Sequence, residues 1–320
     1  MRILVTGGLG FVGINIVRGL AVQPDVHVIA ADLLRWDSAV DQFLAPVCAQ
    51  VTYRRLDVCD AGGVAELMQD EAITHVVHAA AITVDDAAER TRAAEVVAVN
   101  LEGSIHLFNA ALTQPTVARV LVVSSSGVYG VAHGDPFQPR RETDPLDVTN
   151  LYAITKYSAE LLAARYAVLS GKPMAAVRLP AVYGPLERSH ASRMHTSALH
   201  QLMMALRAGR SVRVAGATIA RDWTYAADIA AGVWALLNAV RWRHPVYNLS
   251  CGEALPFGAV VQAFVEAGLQ ATWIDDANQA DIAMRPQQAR APLDIARICQ
   301  ETGFRPAYSL QTGIEEWLAQ

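Results

Sequence analysis

The stretch RILVTGGLGFVG, residues 2 to 13, decides the fold. Its first residues are largely apolar and predict a strand, after which Gly7, Gly10 and Gly13 follow at intervals of three, at the mouth of a predicted helix. Glycine lets the backbone turn sharply and approach a pyrophosphate, whose charge then lies on the free N–H groups at the positive end of the helix. The stretch therefore predicts a dinucleotide-binding strand, turn and helix, although the glycines could also form a simple turn.

Later apolar runs repeat this pattern, and longer helical stretches separate them. The runs are HVIAAD (27–32), THVVHAA (74–80), RVLVVSSS (119–126) and MAAVRLP (174–180). Continuous hydrophobicity is typical of strands whose two faces are both covered by helices. The fold class is therefore α/β, a doubly wound parallel sheet of the Rossmann type with its ligand site at the carboxyl ends of the strands.

The regular alternation of predicted strands and helices ends after about residue 179, where loop-rich sequence predicts a smaller, discontinuous C-terminal substrate lobe. The stretch from Trp223 to Leu249 looks like a return to the main sheet. We expect a NAD-binding Rossmann domain at 1–178 plus 222–250 and a substrate-binding lobe at 179–221 plus 251–320.

The cofactor prediction becomes specific at Asp32, nineteen residues after Gly13 and at the end of the second strand. A carboxylate there can accept hydrogen bonds from both ribose hydroxyls and repels a 2′-phosphate, which favours NAD over NADP. Arg35 lies close enough to weaken that choice. Asp57 and Val58 follow a third predicted strand and could flank the adenine, or they could form a surface turn.

Composition points to a small-molecule partner. The chain has 320 residues, a formal net charge of −5 and scattered arginines, which argue against nucleic acid or an anionic membrane as the partner. The N-terminal apolar run ends at glycine before it is long enough to form the hydrophobic region of a signal peptide, so we expect a cytoplasmic protein. Four cysteines lack CxxC spacing, and His190, His195 and His200 recur every five residues, so no metal site is predicted.

The segment NLYAITKY, residues 150 to 157, contains one of only two lysines in the chain. Tyr152 and Lys156 are four residues apart in a predicted helix and should share one face. A phenol with a pKa of about 10 is a poor base near neutrality, but an ammonium and a nicotinamide ring both favour phenolate. Tyr152 is therefore a candidate general base, and the compact Lys156 ammonium can also donate to the nicotinamide ribose.

A predicted strand that ends in three serines, VLVVSSSGVYG, completes this set. Through these motifs the chain resembles an extended short-chain dehydrogenase/reductase of the NAD-dependent epimerase/dehydratase family. That family joins a TGxxGFxG loop, a strand-end Ser or Thr and a YxxxK helix. The resemblance continues through HAAA (78–81), VNLEGS (99–104), VRLPAVYGP (177–185), RDWTYAADIA (221–230) and YNLSCGE (247–253).

The resemblance implies roles for particular residues. Ser125, four residues before the tyrosine of VYG, corresponds to the catalytic hydroxyl, with Ser124 and Ser126 beside it, while Tyr152 is the base and Lys156 its partner. Asn100 is a supporting candidate that could instead stabilise a helix. The implied cofactor set is Gly7, Gly10, Phe11, Gly13, Asp32, Asp57, Val58, Ala79, Ala80, Asn100, Tyr152, Lys156 and Pro180. Family members usually form homodimers through two helices each, here within 86–112 and 150–168.

The same resemblance limits the expected chemistry. Dehydratases and decarboxylases of the family carry Asp-Glu or Ser-Glu between the catalytic hydroxyl and VYG, whereas this chain has Ser126 and Gly127. We therefore expect an enzyme that is not a dehydratase or a decarboxylase. Epimerisation or net dehydrogenation with release of NADH would remain.

Indications about the substrate point in two directions. Arg221 and Arg285 correspond to arginines that bind the diphosphate in the family's nucleotide-sugar enzymes, and with Ser125 and Ser126 they form the expected substrate set. Against a nucleotide sugar, an expected asparagine is Ala181, and the usual Gly-Asp is Gln287-Gln288. Arg221 could instead pair with Asp222 or Asp228.

Three hypotheses follow. The first is an NAD-dependent epimerase of a nucleotide-linked sugar. The second is an NAD-dependent dehydrogenase of a free sugar, a sugar acid or another secondary alcohol. The third is a non-catalytic NAD-sensing protein, which the intact set of Ser125, Tyr152 and Lys156 disfavours.

Overall fold

A computed structural model describes residues 1–132, 135–193 and 195–320, with Asp86 described by its backbone only. In chain order, the elements are β1 (Arg2–Thr6), α1 (Phe11–Ala21), β2 (His27–Asp32), α2 (Ser38–Leu44), β3 (Val51–Arg55), α3 (Ala61–Asp70), β4 (His75–His78), α4 (Asp86–Val97), α5 (Gly103–Thr113), β5 (Arg119–Ser125), α6 (Leu151–Ser170), β6 (Met174–Leu179), β7 (Ala181–Tyr183), α7 (Ala198–Arg207), β8 (Val212–Ala215), β9 (Ala220–Tyr225), α8 (Ala226–Asn238), β10 (Val246–Asn248), β11 (Ala254–Pro256), α9 (Phe257–Glu266), β12 (Ala271–Trp273), β13 (Ile282–Ala283), α10 (Ala296–Thr302) and α11 (Leu310–Leu318).

The main sheet has seven strands in the order β10-β6-β5-β4-β1-β2-β3, and every neighbouring pair is parallel. The strand order reverses between β1 and β4, which opens a crevice at their carboxyl ends. The prediction of a doubly wound parallel sheet is confirmed.

Helices cover both faces of this sheet, which explains why its inner strands are apolar without alternation. On one face α1 packs against α8, and Ile14, Leu20 and Val233 are fully buried there. On the other face α3, α5 and α6 pack together over a cluster that includes Phe108 and Ala163. The sheet is therefore held rigidly between two helical layers.

A smaller region stands beyond the strand ends. It contains two three-stranded sheets, β11-β9-β7 and β12-β8-β13, and helices α7, α9 and α11. Its core includes Phe257, Phe264 and Trp317, all fully buried. The predicted domain limits remain a proposal; α10 contributes Ile298 to the core of the main sheet.

None of the helices in the described ranges is long and apolar enough to cross a membrane.

Candidate active site

The glycine loop between β1 and α1 forms one wall of the site. Gly7 has φ +67°, in the left-handed region that favours glycine. A Cβ atom at position 13 would lie 1.9 Å from the carbonyl oxygen of Gly7, so only glycine allows the helix to start so close to the turn. The Gly10 N–H donates to the Gly7 carbonyl oxygen at 3.1 Å. Any side chain at position 13 would therefore collide with the turn and push the loop away from the helix.

Asp32 stands at the end of β2, where the sequence predicted it, and its carboxylate faces this loop. One oxygen accepts the N–H groups of Leu9 at 2.9 Å and Gly10 at 3.2 Å, and the other accepts the N–H of Leu34 at 2.9 Å. Because carboxylate acceptors make strong hydrogen bonds, Asp32 fixes the loop as well as lining the cleft.

A cleft of about 320 Å³ runs along the carboxyl ends of the central strands. Most of the residues assigned to the cofactor from the sequence line it. They are Gly7, Gly10, Phe11, Gly13, Asp32, Asp57, Val58, Ala79, Ala80, Tyr152 and Lys156.

Asn100 and Pro180 lie outside this lining. Asn100 is buried in a single π-helical turn, residues 98–102, between α4 and α5. Its side chain accepts the N–H of Ile82 at 2.7 Å and donates to the Ile82 carbonyl oxygen and to the Thr155 hydroxyl, both at 3.1 Å. Asn100 therefore joins the segment after β4 to helix α6, which carries the candidate catalytic residues.

The segment 190–193 crosses the cleft, and no sequence pattern predicted this. His190, Ala191, Ser192 and Arg193 line it, and the Thr83 N–H donates to the Ser192 carbonyl oxygen at 2.9 Å. The segment is a loop distant in sequence from every motif, so no periodicity could have indicated it.

Tyr152 and Lys156 lie in the first turns of α6, as predicted. The Asn150 side chain caps this helix by accepting the N–H of Ala153 at 2.8 Å. The Lys156 ammonium lies 5.8 Å from the centroid of the Tyr152 ring and donates to the carbonyl oxygen of Val123 at 2.8 Å. The helix thus meets the end of β5 at these side chains.

The three serines at the end of β5 take different environments. Ser124 is buried and donates to the Glu160 carboxylate at 2.5 Å. Ser125 accepts the N–H of Gly127 at 3.0 Å, and its side chain lies close enough to Tyr152 to lower the pKa of the phenol. Ser126 is buried and lines a small second cavity. Ser125 is therefore the serine beside the candidate base.

Burial sets the electrostatics of this group. It raises the pKa of the Tyr152 phenol, while hydrogen bonds with Ser125 and Thr83 and the positive charge of Arg193 act in the opposite direction. Burial also lowers the pKa of Lys156 to about 8, against the opposing effect of the Glu160 carboxylate. Lys156 is therefore mainly an ammonium at neutral pH. Arg193, from a loop distant in sequence, is a further cation near the phenol.

Arg221 lies on β9, and its buried Nε has no hydrogen-bond partner within the described part of the chain. Burial and the charges of Arg290 and Arg193 lower its pKa to about 10. The carboxylates of Asp222 and Asp228, the alternative partners, accept backbone N–H groups instead. The guanidinium therefore stands in a positively charged group with one unused donor.

Arg285 is placed differently from Arg221. It is exposed, and it donates to the Asn278 side chain at 2.9 Å. Arg290, five residues further on, is partly buried and stands near Arg221. Arg290 could not be predicted from the sequence because the course of an irregular loop decides which of its arginines turns inward.

The comparisons with known proteins agree with this arrangement. A family model described as "NAD dependent epimerase/dehydratase family" matches residues 3–250. A dTDP-glucose 4,6-dehydratase of Streptomyces griseus is 31% identical over 325 residues, which cover 99% of this chain and 93% of the relative.

Two solved structures share the whole fold. A UDP-glucuronic acid 4-epimerase from Bacillus cereus, in complex with UDP-glucuronic acid and NAD, has a TM-score of 0.80 at 22% identity and covers 100% of this chain and 98% of its own. A dTDP-glucose 4,6-dehydratase from Streptomyces venezuelae with NAD bound has a TM-score of 0.79 at 26% identity and covers 100% and 96%.

The expectation that the enzyme is not a dehydratase was wrong. Relatives named dTDP-glucose 4,6-dehydratase match nearly the whole chain, at 31% and 30% identity. Ser126 and Gly127 are only the two residues that follow Ser125 along the chain, whereas folding can bring an acid or base into a cleft from any segment. Glu95, for example, lines this cleft from α4.

Proposed function

The chain belongs to the NAD dependent epimerase/dehydratase family, and we propose that it oxidises a secondary alcohol on a nucleotide-linked sugar with NAD and returns the hydride to give the epimer. One observation carries this proposal. The Tyr152 phenol, whose pKa the neighbouring Ser125 side chain lowers, lies in a cleft whose other walls are the glycine loop and Asp32. The candidate acid–base group and the residues proposed to bind the dinucleotide thus line the same cleft.

The residues present fit NAD. Gly7, Gly10 and Gly13 line the cleft at the start of α1, where the helix supplies free N–H groups for a pyrophosphate. Asp32 supplies a carboxylate at the end of β2 for ribose hydroxyls. NAD, when bound, accepts a hydride from the alcohol carbon and can return it.

The chain's own residues move the proton. Ser125 would orient the substrate hydroxyl, and Tyr152 would take its proton as the hydride leaves. Lys156 would stabilise the phenolate through its charge, from a position fixed by the Val123 carbonyl oxygen. Arg193 adds positive charge on the side of the tyrosine that faces the segment 190–193.

We further propose that a substrate diphosphate lies against Arg221. Its unpartnered Nε would donate to an anion, and the neighbouring charge of Arg290 adds to the attraction, whereas Arg193 is already paired with Glu187. Arg285, the other arginine expected there, is exposed and bonded to Asn278, so Arg290 replaces it in the proposal.

A homodimer is also proposed, through helices within 86–112 and 150–168. On α6, Ile154, Leu161 and Val168 are 45%, 55% and 74% exposed and recur every seven residues. An apolar row at this spacing lies along one side of a helix and suits packing against another helix.

Dehydration is a second candidate function, favoured by the relatives that carry this name. It would begin with the same oxidation by Tyr152 and NAD. It would then require a carboxylate or another acid–base pair in the cleft to remove water.

The test is a screen with added NAD against UDP- and dTDP-linked sugars, UDP-glucuronic acid, and free sugars and sugar acids. NADH absorbance and product stereochemistry by NMR are followed together. The proposal expects an epimer with no net NADH. A product lighter by one water would establish the second candidate instead, and NADH accumulating with free sugars alone would overturn both.

A further inference from the structure

A buried ion pair lies directly behind the candidate catalytic residues. The side chains of Glu160 and Arg178 are 2% and 3% exposed. The guanidinium donates from Nε to Oε1 at 2.9 Å and from Nη2 to Oε2 at 2.7 Å. Ser124 donates to Oε1 as well. The carboxylate is therefore fully hydrogen-bonded and firmly held.

This pair is placed by the same elements as the site. Helix α6 carries Tyr152, Lys156 and Glu160 at successive intervals of four residues, which puts them on one face of the helix. Arg178 comes from β6, where it lies opposite Ser124 of β5. The pair therefore joins helix α6 to the strand that ends in the serines.

Glu160 is the carboxylate that acts on the Lys156 ammonium. Burial lowers the pKa of Lys156, and the negative charge of Glu160 opposes this effect. From β4 the ammonium faces His78, whose pKa burial lowers to about 3, so this imidazole is neutral. From β5 it meets the Val123 carbonyl oxygen, and Tyr152 on its own helix is a protonated phenol near neutrality.

We propose that the Glu160–Arg178 pair is a positioning device for the catalytic centre, in which Glu160 keeps the Lys156 side chain in its ammonium form and Arg178 holds the Glu160 carboxylate in place. The role of this pair in catalysis rests on the proposed function, because only in that reaction does the Lys156 ammonium stabilise the Tyr152 phenolate. The effect of the pair on Lys156 itself is present in the folded protein without any reaction.

The direction of the effect follows from the charges. Without Glu160, the buried ammonium would lose its favourable partner, and the unpaired Arg178 would add a repulsive charge, so the proton would leave Lys156 at lower pH. If both charges were removed together, only the first effect would remain. The pH at the midpoint of the Lys156 titration should therefore be highest in the parent protein and lowest in Glu160→Gln. It should be intermediate in a double variant that lacks both the Glu160 and the Arg178 charge.

The chain permits a direct measurement because it has only two lysines. Protein made with isotopically labelled lysine gives two side-chain NMR signals, and Lys156→Arg assigns them. Lys172 serves as the internal reference, since its ammonium bonds to the carbonyl oxygens of Ala111 and Gln114 and does not line the cleft. Titration of these signals needs neither substrate nor turnover.

The variants are Glu160→Gln, Glu160→Gln with Arg178→Met, and the control Glu71→Gln. Glu71 is likewise a poorly exposed carboxylate, paired with Arg2 and Arg54 at the other end of the sheet. We expect the Lys156 midpoint to fall by about one pH unit or more in Glu160→Gln and to stay unchanged in Glu71→Gln.

A Lys156 midpoint that does not move in folded Glu160→Gln would overturn the proposal, because a purely structural clamp would leave it in place. If Glu160→Gln fails to fold, the charge-neutral double variant decides by the same criterion. In the active enzyme, the loss of kcat/KM at high pH should move to lower pH in the same order. Absent activity with the expected lysine titration would count against the proposed function and leave this proposal standing.

Discussion

The Lys156 ammonium donates a hydrogen bond of 2.8 Å to the carbonyl oxygen of Val123, the residue two before Ser125 in β5. This contact fixes the cation 5.8 Å from the centre of the Tyr152 ring, in a position that is 5% exposed. A planar guanidinium is larger and needs a different set of acceptors. The contact therefore explains why a chain that almost always uses arginine has lysine at this position.

Lys156→Arg should lower kcat about 100-fold or more although the charge is kept, because the guanidinium cannot occupy the space beside Val123. Steady-state kinetics on the substrate found in the screen measure the effect. Lys172→Arg, which changes the only other lysine, is the matched control and should retain parent activity. Equal activity in both variants would contradict the role given to Lys156.

Tyr152→Phe should lower kcat by about 100-fold or more, since the variant has no hydroxyl to take the substrate proton. NAD affinity, measured by titration calorimetry, should change little. Tyr157→Phe alters a tyrosine of the same helix that packs against Val128, Tyr129 and Leu293, and it should remain active. A Tyr152→Phe enzyme with parent kcat would exclude this phenol as the base.

Gly13→Ala should destabilise the protein by about 1–3 kcal/mol and abolish measurable NAD binding, because the new Cβ would lie 1.9 Å from the Gly7 carbonyl oxygen. Gly10→Ala is the comparison, since its Cβ would lie 3.2 Å from the same oxygen and φ there is −68°. Thermal melts with and without NAD should separate the two variants. Equal melts would show that the loop can relax around a side chain.

Asp32→Asn should weaken the preference for NAD over NADP, because the amide keeps an acceptor for the Leu9 and Gly10 N–H groups but removes the charge that repels a 2′-phosphate. Asp32→Ala removes both and should weaken NAD binding about tenfold or more. Binding of both dinucleotides to each variant, measured by calorimetry, gives the comparison. An unchanged ratio of affinities in Asp32→Asn would assign cofactor choice to other residues.

Leu161→Asp should convert the proposed dimer into a monomer, or weaken it at least about tenfold, since a carboxylate would be buried in the apolar row on α6. Sedimentation velocity over a range of protein concentrations measures this. Val240→Asp changes an apolar residue that is 97% exposed after α8, and it should leave assembly unaffected. A parent protein that sediments as a monomer would refute the dimer itself.

Local sequence determined the fold class, the glycine loop, Asp32 and the Tyr152–Lys156 pair. Each of these depends on spacing within one strand, turn or helix: apolar runs require a sheet covered on both faces, and residues four apart must share a helix face. The environment that positions these residues was decided by tertiary structure. Asn100 bonds to Ile82 and Thr155, Arg290 and not Arg285 stands near Arg221, and segment 190–193 crosses the cleft, because these contacts join parts of the chain far apart in sequence.

The same distinction explains the failed exclusion of dehydratases. Ser126 and Gly127 are the neighbours of Ser125 along the chain. Elimination of water, however, depends on every acid and base that folding brings to the substrate. Sequence by itself predicted where a hydride and a proton could be exchanged. Which groups surround them, and at what charge, was settled only when burial and packing placed Arg193, Glu160 and Arg178 around one helix.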